Sequence, residues 1–251
     1  MIRPIFRQAM LLIPALMLFA GPAQAQPSPT VVFESGLGDG ARVWRKTIDA
    51  LPDGTSVFTY DRPGYGDTAA AATPRDPCTI ATELHARLAT AGRAPPFVLV
   101  GHSLGGQYAY AFARLYPEEV AGLVLVDATP LGHWQAVQEH LPAAAAMLRI
   151  MRATLFSRTM RREFDAQEQC LAALPRSPLP FVSHILVSTR PDPSGGERML
   201  NIDHELARTW LAMTGAGALE PVARSGHYIQ RDRPEWLADA IASILSTTKK
   251  E

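Results

Sequence analysis

The stretch FVLVGHSLGG, residues 97–106, decides how the chain must be read. Its first half is a continuous apolar run with the composition of a strand buried on both faces. Its second half opens a helix-forming segment that continues to Tyr116, just before Pro117. Between the two stands Gly101-His102-Ser103-Leu104-Gly105, a G-x-S-x-G pattern in the strand-turn-helix setting that gives it meaning. The pattern predicts a serine on a strained turn with its hydroxyl raised above the sheet, where a side chain at either flanking glycine would collide across the turn. A helix starting at Leu104 aims its free N–H groups at the same point, where they can stabilise a negatively charged oxygen.

Working outward, apolar runs at 30–33, 56–60, 121–127, 184–189 and 218–223 predict five further strands. Helical patterns fall between them at 44–51, 81–91 and 203–213, and a last helix starts at Pro234 with Leu237, Ala240, Ile241, Ile244 and Leu245 in one stripe. Strands alternating with helices predict an α/β fold with a parallel sheet covered on both faces. Residues 131–180 break the rhythm, with no strand signal and with Met147, Ile150, Met151, Thr154 and Leu155 on one helical face. This is read as a helical insertion. Its Arg149, Arg152, Arg158, Arg161 and Arg162 make a solvated face, or attract an acidic substrate or an anionic surface.

The first 25 residues carry Arg3 and Arg7, an apolar stretch at 9–20 interrupted by Pro14, and Ala23-Gln24-Ala25. These are the three parts of a secretory signal peptide, and the apolar stretch is shorter than the roughly 20 residues a membrane span needs. Cleavage after Ala25 predicts an exported protein, periplasmic or secreted, with no stable membrane anchor. The whole chain has 24 basic and 24 acidic residues. Cleavage removes two arginines and no acid, so nucleic acid is not an expected partner. In an oxidising compartment Cys78 and Cys170 could pair, and two buried thiols stand as the alternative.

A serine hydroxyl needs a base. Among seven histidines, His85, His133, His140, His184 and His204 read as packing or surface residues, and His102 should point away from the hydroxyl beside it. His227, in ARSGHYIQRDRPEWL, stands in a loop between the last strand and the last helix, where it can lean over the carboxyl ends of the strands. A competing reading comes from ESGLGDGA at 34–41. Its Gly36, Gly38 and Ala41, with Asp61 one strand-helix-strand unit later, also fit a dinucleotide loop. A nicotinamide-dependent oxidoreductase is therefore the alternative, weakened by export away from cytoplasmic cofactor pools and by the unexplained elbow. No H-E-x-x-H or Cys/His cluster predicts a metal, and no cofactor is expected under the leading reading.

Taken with ESGLGDGARVW, YDRPGYGDT, ELHARLATAGRAPPFVLVGHSLGGQYA, EEVAGLVLVDA and SGHYIQRDRPEWLADAI, the chain resembles one bacterial branch of the α/β-hydrolase fold. The resemblance implies a core in residues 26–130 and 181–251 and a helical cap at 131–180. It also implies a Ser-Asp-His triad with Ser103 and His227, and oxyanion donors at the N–H groups of Leu37 and Leu104. Asp61 would then belong to the YDRPGYGDT turn. The family commonly begins with an antiparallel hairpin, which this chain has no room for after the cut, so six all-parallel strands are expected. The reaction implied is hydrolysis of an ester, lactone or similar small acyl compound through an acyl-enzyme. A non-catalytic ligand-binding protein on the same fold is the other alternative.

Two aspartates qualify as the triad acid. Asp192 follows the fifth strand, where many members keep it, but stands between Pro191 and Pro193 in an open loop. Asp127 ends the fourth strand, where a carboxylate is held and partly desolvated, as a tautomer-fixing group requires. Asp127 is the expected acid and Asp192 the alternative.

Overall fold

The computed structural model describes residues 28–191 and 195–247. The expected signal peptide and Asp192 lie outside the described residues. Six strands, β1 (Thr30–Glu34), β2 (Val57–Phe58), β3 (Phe97–His102), β4 (Val120–Val126), β5 (Val182–Ser188) and β6 (Leu219–Val222), form one sheet. Its order is 2-1-3-4-5-6, and every pairing is parallel.

The unbroken apolar runs are explained by what covers the sheet. Successive side chains of a strand point to opposite faces, so a strand buried on both sides needs apolar residues at every position. Val31, Phe33, Val98, Val100, Val124 and Val126 join Trp44, Leu237 and Ile241 on one face. Val32, Leu99, Leu123 and Leu125 join Leu84, Phe112 and Trp210 on the other. The first face is covered by α1 (Arg45–Asp49) and α9 (Pro234–Thr247), the second by α2 (Pro77–Thr90), α3 (Leu104–Leu115) and α7 (Gly196–Thr214). Helix α2 opens at Pro77 because Asp76 accepts the N–H groups of Cys78 and Thr79, both at 3.1 Å, and proline suits the first helical position.

Between β4 and β5 the chain makes three helices, α4 (His133–His140), α5 (Pro142–Thr154) and α6 (Arg158–Ala166). The apolar face expected on α5 points outward, with Ile150 60% and Leu155 71% exposed. The insert is anchored by Leu171 and Leu179, which join the core, and by covalent and polar links. Cys170 is joined to Cys78 at a Cα–Cα distance of 6.1 Å. The Glu168 N–H donates to Gln107 Oε1 of α3 at 3.1 Å, and Arg162 donates to the carbonyls of Ala71, Ala72 and Thr73. Arg149 and Arg152 are bonded within the insert, to Gln138 and Asp165.

Candidate active site

Ser103 adopts φ +54° and ψ −125°, a backbone conformation that L-residues rarely hold. The sheet over-determines it. Its N–H donates to Val126 O at 3.1 Å, and its carbonyl accepts the N–H groups of Gly106 and Thr129, both at 3.0 Å. The flanking glycines are required by close approach. A Cβ on Gly105 would lie 2.4 Å from Glu34 O, and one on Gly101 2.6 Å from Gly105 O. The N-terminus of α3 is thereby seated on the end of β1.

Asp127, the first residue after β4, has φ +43°. Its N–H donates to Leu186 O at 2.8 Å, its Oδ1 accepts the Ser188 N–H at 2.7 Å, and its Oδ2 lies 2.8 Å from His227 Nδ1. Both carboxylate oxygens are therefore engaged, which fixes the side chain's direction. His227 follows β6, immediately ahead of the short helix α8 (Ile229–Asp232). His102 lies beneath this loop. It is buried, its Nε2 bonds His227 O at 2.9 Å, and its ring is 4.7 Å from the His227 ring. Burial, and next the neighbouring His227, hold its pKa well below the ordinary 6.5, so it stays neutral and donates from Nε2.

Ser103, Asp127 and His227 line one cavity of about 150 Å³. The loop carrying Leu37 lies against it, since a Cβ on Gly36 would come 3.2 Å from Ser103 Cβ. Leu104 is the first residue of α3 and is buried. Asp61 is enclosed by the chain's own backbone. Its Oδ1 accepts the Ala41 N–H at 2.7 Å, and a Cβ on Gly40 or Gly66 would approach it to 2.5 Å. The carboxylate that a ribose would need is committed to holding the glycine loop.

The same cavity has walls that sequence reasoning missed. His133 and His204, read as packing or surface residues, line it together with Thr129 and Asp203. Thr129 Oγ1 is 3.4 Å from Ser103 Oγ, His133 Nε2 is 3.0 Å from Asp203, and His204 Nε2 bonds Ser188 O at 2.7 Å. A signal was present, because Asp203, Ala207 and Trp210 recur at i, i+4 and i+7, one face of α7, and all three line the cavity. The other three histidines behave as read. His85 stacks on Tyr116, His184 bonds Glu220, and His140 ends α4 exposed.

The family model described as Alpha/beta hydrolase family matches residues 31–240. A (lyso)-N-acylphosphatidylethanolamine lipase of Mus musculus is 35% identical over 109 residues, covering 42% of this chain and 32% of that protein. The chain thus spans about a third of the length of the curated relatives it first matches. A thermophilic esterase from Thermogutta terrifontis, solved with malate bound, superposes with a TM-score of 0.60 at 20% identity, over 88% of this chain and 90% of that one. The epoxide hydrolase CorEH superposes with a TM-score of 0.61 at 16% identity, over 87% of this chain and 92% of the other. At such identities the two structures speak for the fold alone.

Proposed function

The chain belongs to the α/β-hydrolase family, and from that premise we propose that it is an exported serine hydrolase cleaving an ester, lactone or related small acyl bond. One observation carries the reading. The strained Ser103 turn and the 2.8 Å pair between Asp127 Oδ2 and His227 Nδ1 converge on a single cavity. With Nδ1 committed to Asp127, Nε2 takes the Ser103 proton as Oγ attacks the acyl carbon. The oxygen of the tetrahedral intermediate is received by the N–H groups of Leu37 and Leu104. His227 then protonates the leaving group, and water attacks the acyl-enzyme by the same route in reverse. The apolar walls Ile185, Val187 and Trp210 and the small volume favour a short acyl group. The murine relative among the similar proteins is named a lipase.

Ser103→Ala should lower hydrolysis of short p-nitrophenyl esters by about a million-fold, with His227→Ala similar and the double variant no worse than either. Fluorophosphonate labelling of the unaltered protein, absent in Ser103→Ala, is the cheapest check. An unlabelled serine in folded protein would leave a ligand-binding protein on this fold.

A further inference from the structure

The most elaborate polar construction outside the cavity surrounds Arg62, in the turn after β2. Its guanidinium is buried, with 2% of the side chain exposed, and all five N–H groups are used. Nε and one Nη2 proton go to the two oxygens of Glu163 at 3.2 and 3.1 Å. Nη1 serves Glu34 at 3.2 Å and the carbonyl of Ser35. The remaining Nη2 proton goes to the carbonyl of Gly36 at 2.8 Å. Glu163, from α6 of the insert, is fully buried and also accepts from Tyr65 Oη at 2.6 Å and Arg75 at 3.3 Å. Tyr65 Oη in turn accepts the Gly38 N–H at 3.4 Å.

Buried ion clusters are weak evidence for stability, because apolar residues of similar volume often do as well. What this one fixes is geometry. Leu37 lies between Gly36, gripped at its carbonyl by Arg62, and Gly38, gripped at its N–H by Tyr65. In a trans peptide the C=O and the N–H point in opposite directions. A donor fixed on Gly36 O therefore determines where the N–H of Leu37 points, which is away from Arg62. A guanidinium behind that carbonyl also polarises the amide and strengthens its N–H as a donor.

We propose that Arg62 is a positioning residue for the oxyanion hole: by holding the Gly36 carbonyl it aims the Leu37 N–H at the substrate oxygen, and Glu163 of the insert holds Arg62. The assignment rests on the serine-hydrolase reading above for its catalytic consequence, though not for its geometry. It also gives the insert a part in the chemistry, since the carboxylate that completes the grip comes from α6.

Arg62→Lys keeps the charge and loses the fork. It should lower kcat about 10- to 100-fold with KM within about twofold, because an oxyanion donor acts on the transition state. Glu163→Gln should do the same more weakly, and stands in if Arg62→Lys does not fold. The rate ratio between an ester and its thionoester should shrink in both, since sulfur accepts hydrogen bonds poorly and gains little from a well-aimed donor. Leu37→Pro, which lacks the N–H, should make Arg62→Lys nearly silent in kcat. The proposal is overturned if KM rises while kcat holds, if the ratio is unmoved, or if the losses multiply in the double variant. It is also overturned if activity merely tracks the folded fraction. Independently of turnover, the Leu37 amide resonance in isotope-labelled protein should shift in Arg62→Lys, and an unmoved resonance refutes the aiming role. Ser103→Ala run beside these variants keeps the two ideas apart: retained turnover there sinks the serine reading, while the Leu37 resonance still judges Arg62.

Discussion

The strand ends that carry Ser103, Asp127 and His227 and the insert that stands over them are held by different physics. At the strand ends, two residues with positive φ, Ser103 and Asp127, are pinned by backbone hydrogen bonds from adjoining strands. The sheet supplies the rigidity, and the strain is stored where the proposed nucleophile and acid sit. The insert has an exposed apolar face on α5 and is held by the core residues Leu171 and Leu179, a disulfide, a buried carboxylate and arginine-to-carbonyl contacts. Rigid geometry comes from the sheet, whereas the insert is attached at a few points. Loss of an attachment other than Glu163 should therefore loosen it without unmaking the site.

The comparison is broken most sharply at Asp127. Asp127→Asn preserves shape but permits the wrong imidazole tautomer, and turnover should fall about 10⁴-fold by analogy with the serine-protease template. Folding should be retained, as judged by circular dichroism. Near-full activity would instead move the acid to Asp192 and detach the strained β4 terminus from the chemistry. At the insert, Cys78→Ala with Cys170→Ala removes a bridge spanning 92 residues. In the chain-entropy model this costs roughly 4–5 kcal/mol of stability, an upper value for real proteins. The expected signature is a lower midpoint in urea with kcat largely kept. If kcat collapses while the sheet stays folded, the insert is as rigid a part of the site as the strands.

Legibility divides along the same line. Six strands, their parallel sense and the turn at Ser103 could be read because they follow from local rules: continuous apolar runs, a helix start, and glycines where a Cβ cannot fit. The pairing of Asp127 with His227, 100 residues apart, was readable only as a choice between two aspartates. The β4 terminus favoured one because a buried strand end fixes a carboxylate. The insert was opaque for the opposite reason. Glu163 reads as one more charge in an arginine-rich helix, and nothing local says that it is buried against Arg62 and Arg75. His133 and Asp203 likewise meet only once α4 is folded beside α7. Long-range polar contacts leave no period in the sequence.

The smallest effect expected is one of pH, and it sets two titrating groups at strand ends against each other, one beneath the His227 loop and one in the cluster that grips the insert. His102, beneath the His227 loop, is held neutral by burial and by His227, with Arg231 adding to the effect, and its pKa lies well below 6.5. Asp39 Oδ2 is 3.8 Å from its Nδ1 and does not outweigh that burial. Below pH 6.5 the unfolded chain binds a proton at this residue and the folded one does not. Its contribution is therefore complete above 6.5 and is lost as pH falls, by at most about 1.4 kcal/mol per pH unit. Glu34, in the Arg62 cluster that grips the insert, runs the other way. Burial raises its pKa from 4.5 to about 7, against the attraction of Arg62 and the hydrogen bond from Tyr60. Between 4.5 and 7 the folded chain keeps a proton that the unfolded chain has lost, so stability falls as pH rises, with the same limiting slope of about 1.4 kcal/mol per unit. The windows overlap from 4.5 to 6.5, where the two slopes oppose. Urea denaturation at intervals from pH 4.5 to 8 should therefore give a shallow profile for the unaltered protein. His102→Gln should unmask a decline toward pH 7, and Glu34→Gln a rise over the same range. If both variants keep the parental profile, neither group titrates as its burial requires, and the electrostatic contrast between the two strand ends is not there.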